Sequence, residues 1–141
     1  MTKKSLHTFF LVLGMSVAGA LSAYAQQPQT EFEMKDGDTT YTMVKYTFCI
    51  LKTGPNRTQG DSAVAEIQKG HMAHINKLAK EGKISLAGPF ENGGEWRGIL
   101  IFNTHDMELA KQWQSADPAI RAGRLVCECA NWWAARGSSL R

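Results

Sequence analysis

The sequence predicts an α+β fold of the ferredoxin-like plan, β-α-β-β-α-β, and three observations predict it. Four segments alternate apolar and polar residues with period two, and two further segments repeat them at helical spacing. Glycine, proline and capping residues mark the joints between these segments. The 141 residues, with 16 Lys+Arg and 13 Asp+Glu, suit one globular domain and neither a disordered nor a collagen-like chain.

An export signal precedes the domain. Lys3 and Lys4 lead into an apolar run from Phe9 to Leu21, and Ala23-Tyr24-Ala25 has the form of an A-x-A cleavage site. The run is short for a bilayer span, so residues 1–25 are expected to be a removed signal peptide. Loss of Lys3 and Lys4 brings the chain close to neutral. Such a chain has no electrostatic reason to seek nucleic acid or, after cleavage, a membrane. The expected location is exported, either periplasmic or secreted. Residues 26–40 are expected to be a flexible leader, 41–135 the α+β domain and 136–141 a C-terminal tail.

The first strand is expected from Tyr41 to Leu51, with Val44, Tyr46, Phe48 and Ile50 on one face and Met43, Thr47, Cys49 and Leu51 on the other. Thr53-Gly54-Pro55-Asn56 makes a loop. A helix capped by Asp61 or Ser62 runs to about Glu81, where Gly82 stops it. Its apolar stripe is Val64, Ile67, His71, Ile75 and Leu78. A short strand, Lys83–Ala87, ends at Gly88-Pro89, and a turn through Glu91-Asn92-Gly93-Gly94 leads to a third strand, Glu95–Phe102. Thr104 is expected to cap a helix from His105 to Ser115. Asp117-Pro118 opens another helical turn that Gly123 closes, and Arg124–Trp133 is the last strand.

Two helices cover only one face of a four-stranded sheet. The first and third strands are nevertheless apolar on both faces, with Ile99 and Ile101 opposed to Trp96, Leu100 and Phe102. An uncovered apolar face of that size predicts a homodimer in which two sheets pack face to face. Trp132 and Trp133 point to opposite faces, one to the core and one to the interface.

Export would place Cys49, Cys127 and Cys129 in an oxidising compartment. Cys127 and Cys129 share a face of one strand about 6.6 Å apart, the outer limit for a bond between them. Cys49 with Cys127 or with Cys129 is the better disulfide, because the ferredoxin-like sheet sets its first and last strands side by side; three buried thiols are the alternative. A zinc site would need two more ligands than this C-x-C pair supplies, so no metal is expected.

A histidine within an apolar helical stripe is unusual, because its ring nitrogens must find partners there. His71 holds that position, with His74 at the stripe's edge. The plain account of His71 is a core histidine bonded to a backbone carbonyl, and that of Asp117 a helix cap. Together, a histidine and an acid make a general base held in one tautomer. Arg97 is a candidate anion contact, and with Trp96 and His74 it completes the expected substrate-binding residues. No P-loop, dinucleotide fingerprint or nucleophile motif is present, and no cofactor is expected.

Two segments carry a family resemblance. His71-Met72-Ala73-His74, with Gly82 eleven residues after His71 and then Ala87-Gly88-Pro89, resembles the signature of the YciI-like, or YCII-related, family. Ala116-Asp117-Pro118 followed by Ala122-Gly123 resembles that family's second conserved segment, and the likeness extends from about Tyr41 to Trp133. The resemblance implies a dimeric α+β barrel whose active site is a His and an Asp, here His71 and Asp117. It further implies a cofactor-independent lyase or isomerase acting on a small cyclic or aromatic molecule. A dimeric barrel that binds a small ligand without reaction is the alternative.

Overall fold

The computed structural model describes residues 29–91 and 94–140. The segment 1–25 expected to be a signal peptide, the first residues of the expected leader and part of the Glu91–Gly94 turn lie outside the described residues. In chain order the elements are β1 Glu31–Asp36, β2 Thr39–Thr53, α1 Asp61–Lys80, β3 Ile84–Pro89, β4 Trp96–Phe102, α2 Met107–Ser115, α3 Pro118–Arg121 and β5 Leu125–Ala135.

From β2 onward the order is the expected β-α-β-β-α-β, and the sheet is antiparallel throughout. β2 pairs β5 along one edge, with Cys49 opposite Cys129, and pairs β4 along the other, with Cys49 opposite Leu100. β3 lies outside β4. The first and last strands of the ferredoxin-like plan are thus neighbours.

The leader reading fails for residues 31–36. Phe32 and Met34 alternate with Glu31 and Glu33, and Gly37-Asp38 forms a two-residue turn with Gly37 at φ 58°. The result is a hairpin in which β1 pairs Thr39–Val44, so β2 begins at Thr39. The Phe32 ring meets Trp133 edge-on, with centroids 4.9 Å apart.

Helix boundaries follow the expected chemistry with small shifts. Gly60 occupies the cap of α1 in place of Asp61 or Ser62, and Asp61 sits in the first turn, where its charge favours the helix dipole. Asp106, not Thr104, caps α2: its carboxylate accepts from Glu108 N at 2.9 Å and Leu109 N at 3.1 Å. Thr104 accepts the Asp106 N–H one step earlier, and His105 lies before the helix. β3 runs through Gly88-Pro89, since a proline at the end of an edge strand leaves no ladder bond unmade. β5 continues past Trp133 to Ala135.

The helices cover the face of β2 that bears Thr47, Cys49 and Leu51. There the core comprises Cys49, Leu51, Leu78, Ile84, Leu100, Phe102 and Ala110, with Ile75, Trp113 and Ile120 against it. The other face carries Val44, Tyr46, Phe48, Ile50, Ile99 and Ile101, all half-buried, beside Trp132 at 43% exposure. Trp133 falls on the helix-covered side, under Lys45. Among the described residues, no helix is long and apolar enough to cross a membrane.

Cys49 and Cys129 form a disulfide across β2 and β5, spanning 80 residues, and Cys127 keeps its thiol. A loop that long restricts the unfolded chain strongly. Reduction, or Cys49→Ala with Cys129→Ala, is expected to lower unfolding free energy by about 2–5 kcal/mol in guanidinium titrations. Cys127→Ala should not reproduce that loss; an equal loss would show the bond to lie elsewhere.

Candidate functional site

His71 sits in the middle of α1, 8% exposed, on the helix stripe that faces the sheet. Asp117, fully buried, precedes α3 and caps it, accepting the Ala119 N–H at 2.8 Å. Proline at the following position stabilises that turn. The two side chains meet: His71 Nδ1 donates to Asp117 Oδ2 at 2.6 Å. Gln114 Nε2, from the last turn of α2, donates to the same oxygen at 3.0 Å. Burial alone would push the Asp117 carboxyl up; the hydrogen bonds from His71 and Ala119 outweigh it and hold the group below the usual carboxylate range.

Close approach of α1 and α3 makes this contact possible. A Cβ on Gly70 would lie 2.9 Å from Pro118 Cγ, so a larger residue there would wedge the two apart. The loop after β2 is sewn to the end of α3. Asn56 N donates to Gly123 O at 3.0 Å, Asn56 Nδ2 to Ala122 O at 3.1 Å, and Gln59 Nε2 to Ala122 O at 3.1 Å.

His71 opens onto a cleft of roughly 580 Å³ between α1 and the β3–β4 edge, within the usual range for small-molecule sites. Leu51, Ile67, Ile75 and Ile84 give it apolar walls, and Arg57, Arg97 and Arg124 also line it. Asp117 stands behind the ring, not in the cleft. Because Asp117 accepts from Nδ1, neutral His71 keeps its lone pair on Nε2, which has no hydrogen-bond partner among the described residues. Such an imidazole can take a proton from a bound molecule.

The other expected contacts separate. Arg97 lines the cleft; the register shift between Leu51 and Lys52 breaks strict alternation beside it. His74 does not line it: its Nε2 donates to the Trp113 carbonyl at 3.0 Å and ties α1 to α2. Trp96 is 51% exposed and packs on Phe90 outside the cleft, with centroids 5.7 Å apart. Neither is placed to touch a molecule held at His71. Arg57, Arg124, Gly70 and Gln114 were not legible as site residues. Arg57 lies in a loop signalled only by Gly54-Pro55, and Arg124 follows a helix stop.

Cys127, opposite Leu51 in the ladder, lies 3.6 Å from Cys129 Sγ. Burial, with Asp117 and Glu128 adding their charge, pushes its thiol up to about 11. It is therefore protonated at neutral pH and not poised as a nucleophile.

The YCII-related domain matches residues 46–135, well over half the chain. This chain belongs to that family. The match ends at the last residue of β5 and takes in both His71 and Asp117. Several solved structures are also similar. One is 5-chloro-2-hydroxyhydroquinone dehydrochlorinase from Burkholderia phenoliruptrix AC1100, in complex with 2,5-dihydroxybenzoquinone. It is 20% identical, with a TM-score of 0.44, over 61% of this chain and 92% of that one. No curated protein matches the sequence.

The Gly70–Pro118 contact predicts the effect of crowding it. Gly70→Ala is expected to cost about 1–3 kcal/mol of stability in denaturant titration. It should also abolish the downfield proton resonance of the His71–Asp117 hydrogen bond. An unchanged resonance would show that the helices need not touch there.

Proposed function

We propose that this family member is an exported, cofactor-independent lyase or isomerase acting on a small cyclic or aromatic molecule. The observation that carries the reading is the 2.6 Å contact between His71 Nδ1 and a buried carboxylate, with the ring's other nitrogen at a cleft that has both apolar walls and cationic side chains. Asp117 positions the ring and stabilises the imidazolium; His71 is the catalytic residue. Nε2 removes a proton from a carbon made acidic by a neighbouring carbonyl, and the electron pair moves into that carbonyl as an enolate. In an isomerisation the imidazolium returns the proton to a different carbon. In an elimination the leaving group departs with the electron pair, and the imidazolium gives its proton to solvent.

Deuterium incorporation tests this without knowledge of the substrate. Small cyclic enones, lactones and hydroxyquinols are incubated with the protein in deuterated buffer and followed by NMR. The wild type should exchange a carbon-bound proton of at least one class. His71→Gln should slow that exchange by about 10²–10⁴-fold. Asp117→Asn should slow it less, because the imidazole remains while its tautomer is no longer held. Equal exchange by wild type and His71→Gln, or none by the wild type, would leave a ligand-binding barrel instead.

The cross-strand disulfide supports export, since such bonds persist in oxidising compartments. The half-buried apolar face from Val44 to Ile101 supports a homodimer packed through its sheets. Intact mass and light scattering on the exported chain check both. The expected result is a chain starting at Gln26 with twice the monomer mass in solution, and Phe48→Glu should return it to monomer. A chain that keeps Lys3 and Lys4 would rule out signal cleavage, and a wild-type monomer would rule out the pairing.

A further inference from the structure

The cleft in front of His71 is charged in a one-sided way. Arg57 from the loop after β2, Arg97 from β4 and Arg124 just before β5 all line it, and the lining includes no Asp or Glu. Elsewhere Lys52 pairs with Glu95 and Glu128, Lys83 with Glu81, Lys111 with Glu108 and Arg136 with Glu31, while Lys35, Lys45, Lys69, Lys80 and Arg121 stand apart without a carboxylate partner among the described residues. Among the described residues, none of the three cleft arginines has a carboxylate partner. Arg124 is half-buried and is oriented by Gln59, whose Oε1 accepts from Nη1 at 3.0 Å. Arg57 is exposed, yet slight desolvation, with Arg124 and Arg97 close by, holds its guanidinium below its usual range. Three like charges at one opening repel one another, and a bound anion removes that repulsion.

We infer that the molecule taken by this cleft is a small organic anion, its oxyanion held among Arg57, Arg97 and Arg124 and its apolar body lying along Ile67 and Ile75 beside His71. The inference rests on the reading of the cleft as the substrate site and adds the substrate's charge. Planar guanidinium forks suit a carboxylate or a phosphate ester equally well, and both present oxygens to paired N–H donors. An anion seated there would orient the ring or chain it belongs to. It would also leave electropositive surroundings for negative charge that develops when Nε2 takes a proton.

The test uses the full mature chain and three probes of similar size: benzoate, phenyl phosphate and the neutral benzyl alcohol. Each is titrated to about 10 mM, above the millimolar affinity that a modest contact provides, and followed by calorimetry and amide NMR shifts. Benzoate or phenyl phosphate should bind at least about tenfold more tightly than benzyl alcohol, with affinity falling as salt is added. The better of the two anions identifies the group. Arg57→Gln and Arg97→Gln should each weaken that anion by about tenfold, and Arg97→Lys should recover part of the loss. His71→Gln should leave its affinity within about threefold, because the ring is not an anion contact. Melting curves confirm that the arginine variants are folded. No preference for an anion, no binding by any probe, or unchanged affinity in the folded arginine variants would overturn the inference. Anion binding with no proton exchange would instead overturn the catalytic reading and leave this one standing. Exchange on neutral compounds without anion binding would do the reverse.

Discussion

A carboxylate without exposed surface must be met by donors on every side, and Asp117 receives them from three helices at once. His71 comes from α1, Gln114 from α2, and the Ala119 N–H from α3. A buried charge left unpaired would cost several kcal/mol, so these three elements cannot shift independently. The Gly70–Pro118 contact closes the last gap between α1 and α3. The result is a histidine whose orientation is decided behind it, by groups that never reach the cleft.

Much of the fold could be read from the sequence because its elements are periodic and punctuated. The stripe from Val64 to Leu78 and the stops at Gly82 and Gly123 were legible, and both glycines adopt the left-handed backbone that ends a helix, at φ 67° and 69°. β1 was missed because the polar composition of 26–40 outweighed the alternation of Phe32 and Met34 before Gly37-Asp38. Thr104 and Asp106 are both good caps, two residues apart, and only the hydrogen bonds decide between them. His71 stood out as a polar residue where leucine would be expected. Asp117 did not, since capping explains it fully, and only a family resemblance joined residues 46 positions apart. The arginine cluster was illegible for a related reason: its members come from a loop, a strand at a register shift and a helix exit, and no spacing rule connects them.

The sheet divides its aromatic residues between two surroundings. Trp113 packs on Phe102 beneath the helices, with ring centroids 6.1 Å apart, while Tyr46, Phe48 and Trp132 gather on the opposite face. Both faces of β2 are therefore apolar, although the chain's own helices shield one of them. The hairpin strand β1 lengthens the sheet at the β4 edge of β2, with every residue exposed.

The bridge between Cys49 and Cys129 also acts as a ruler. Antiparallel partners that slip by one residue exchange their faces, and this bond forbids any such slip of β5 along β2. Counting from it, Leu125 falls opposite Thr53, and the next carbonyl, that of Arg124, accepts from Gly54 N at 2.8 Å. In the other direction the same count turns Trp132 outward and Trp133 inward. A single pair of sulfur atoms at mid-strand thus indexes a guanidinium at one end of the sheet and two indoles at the other.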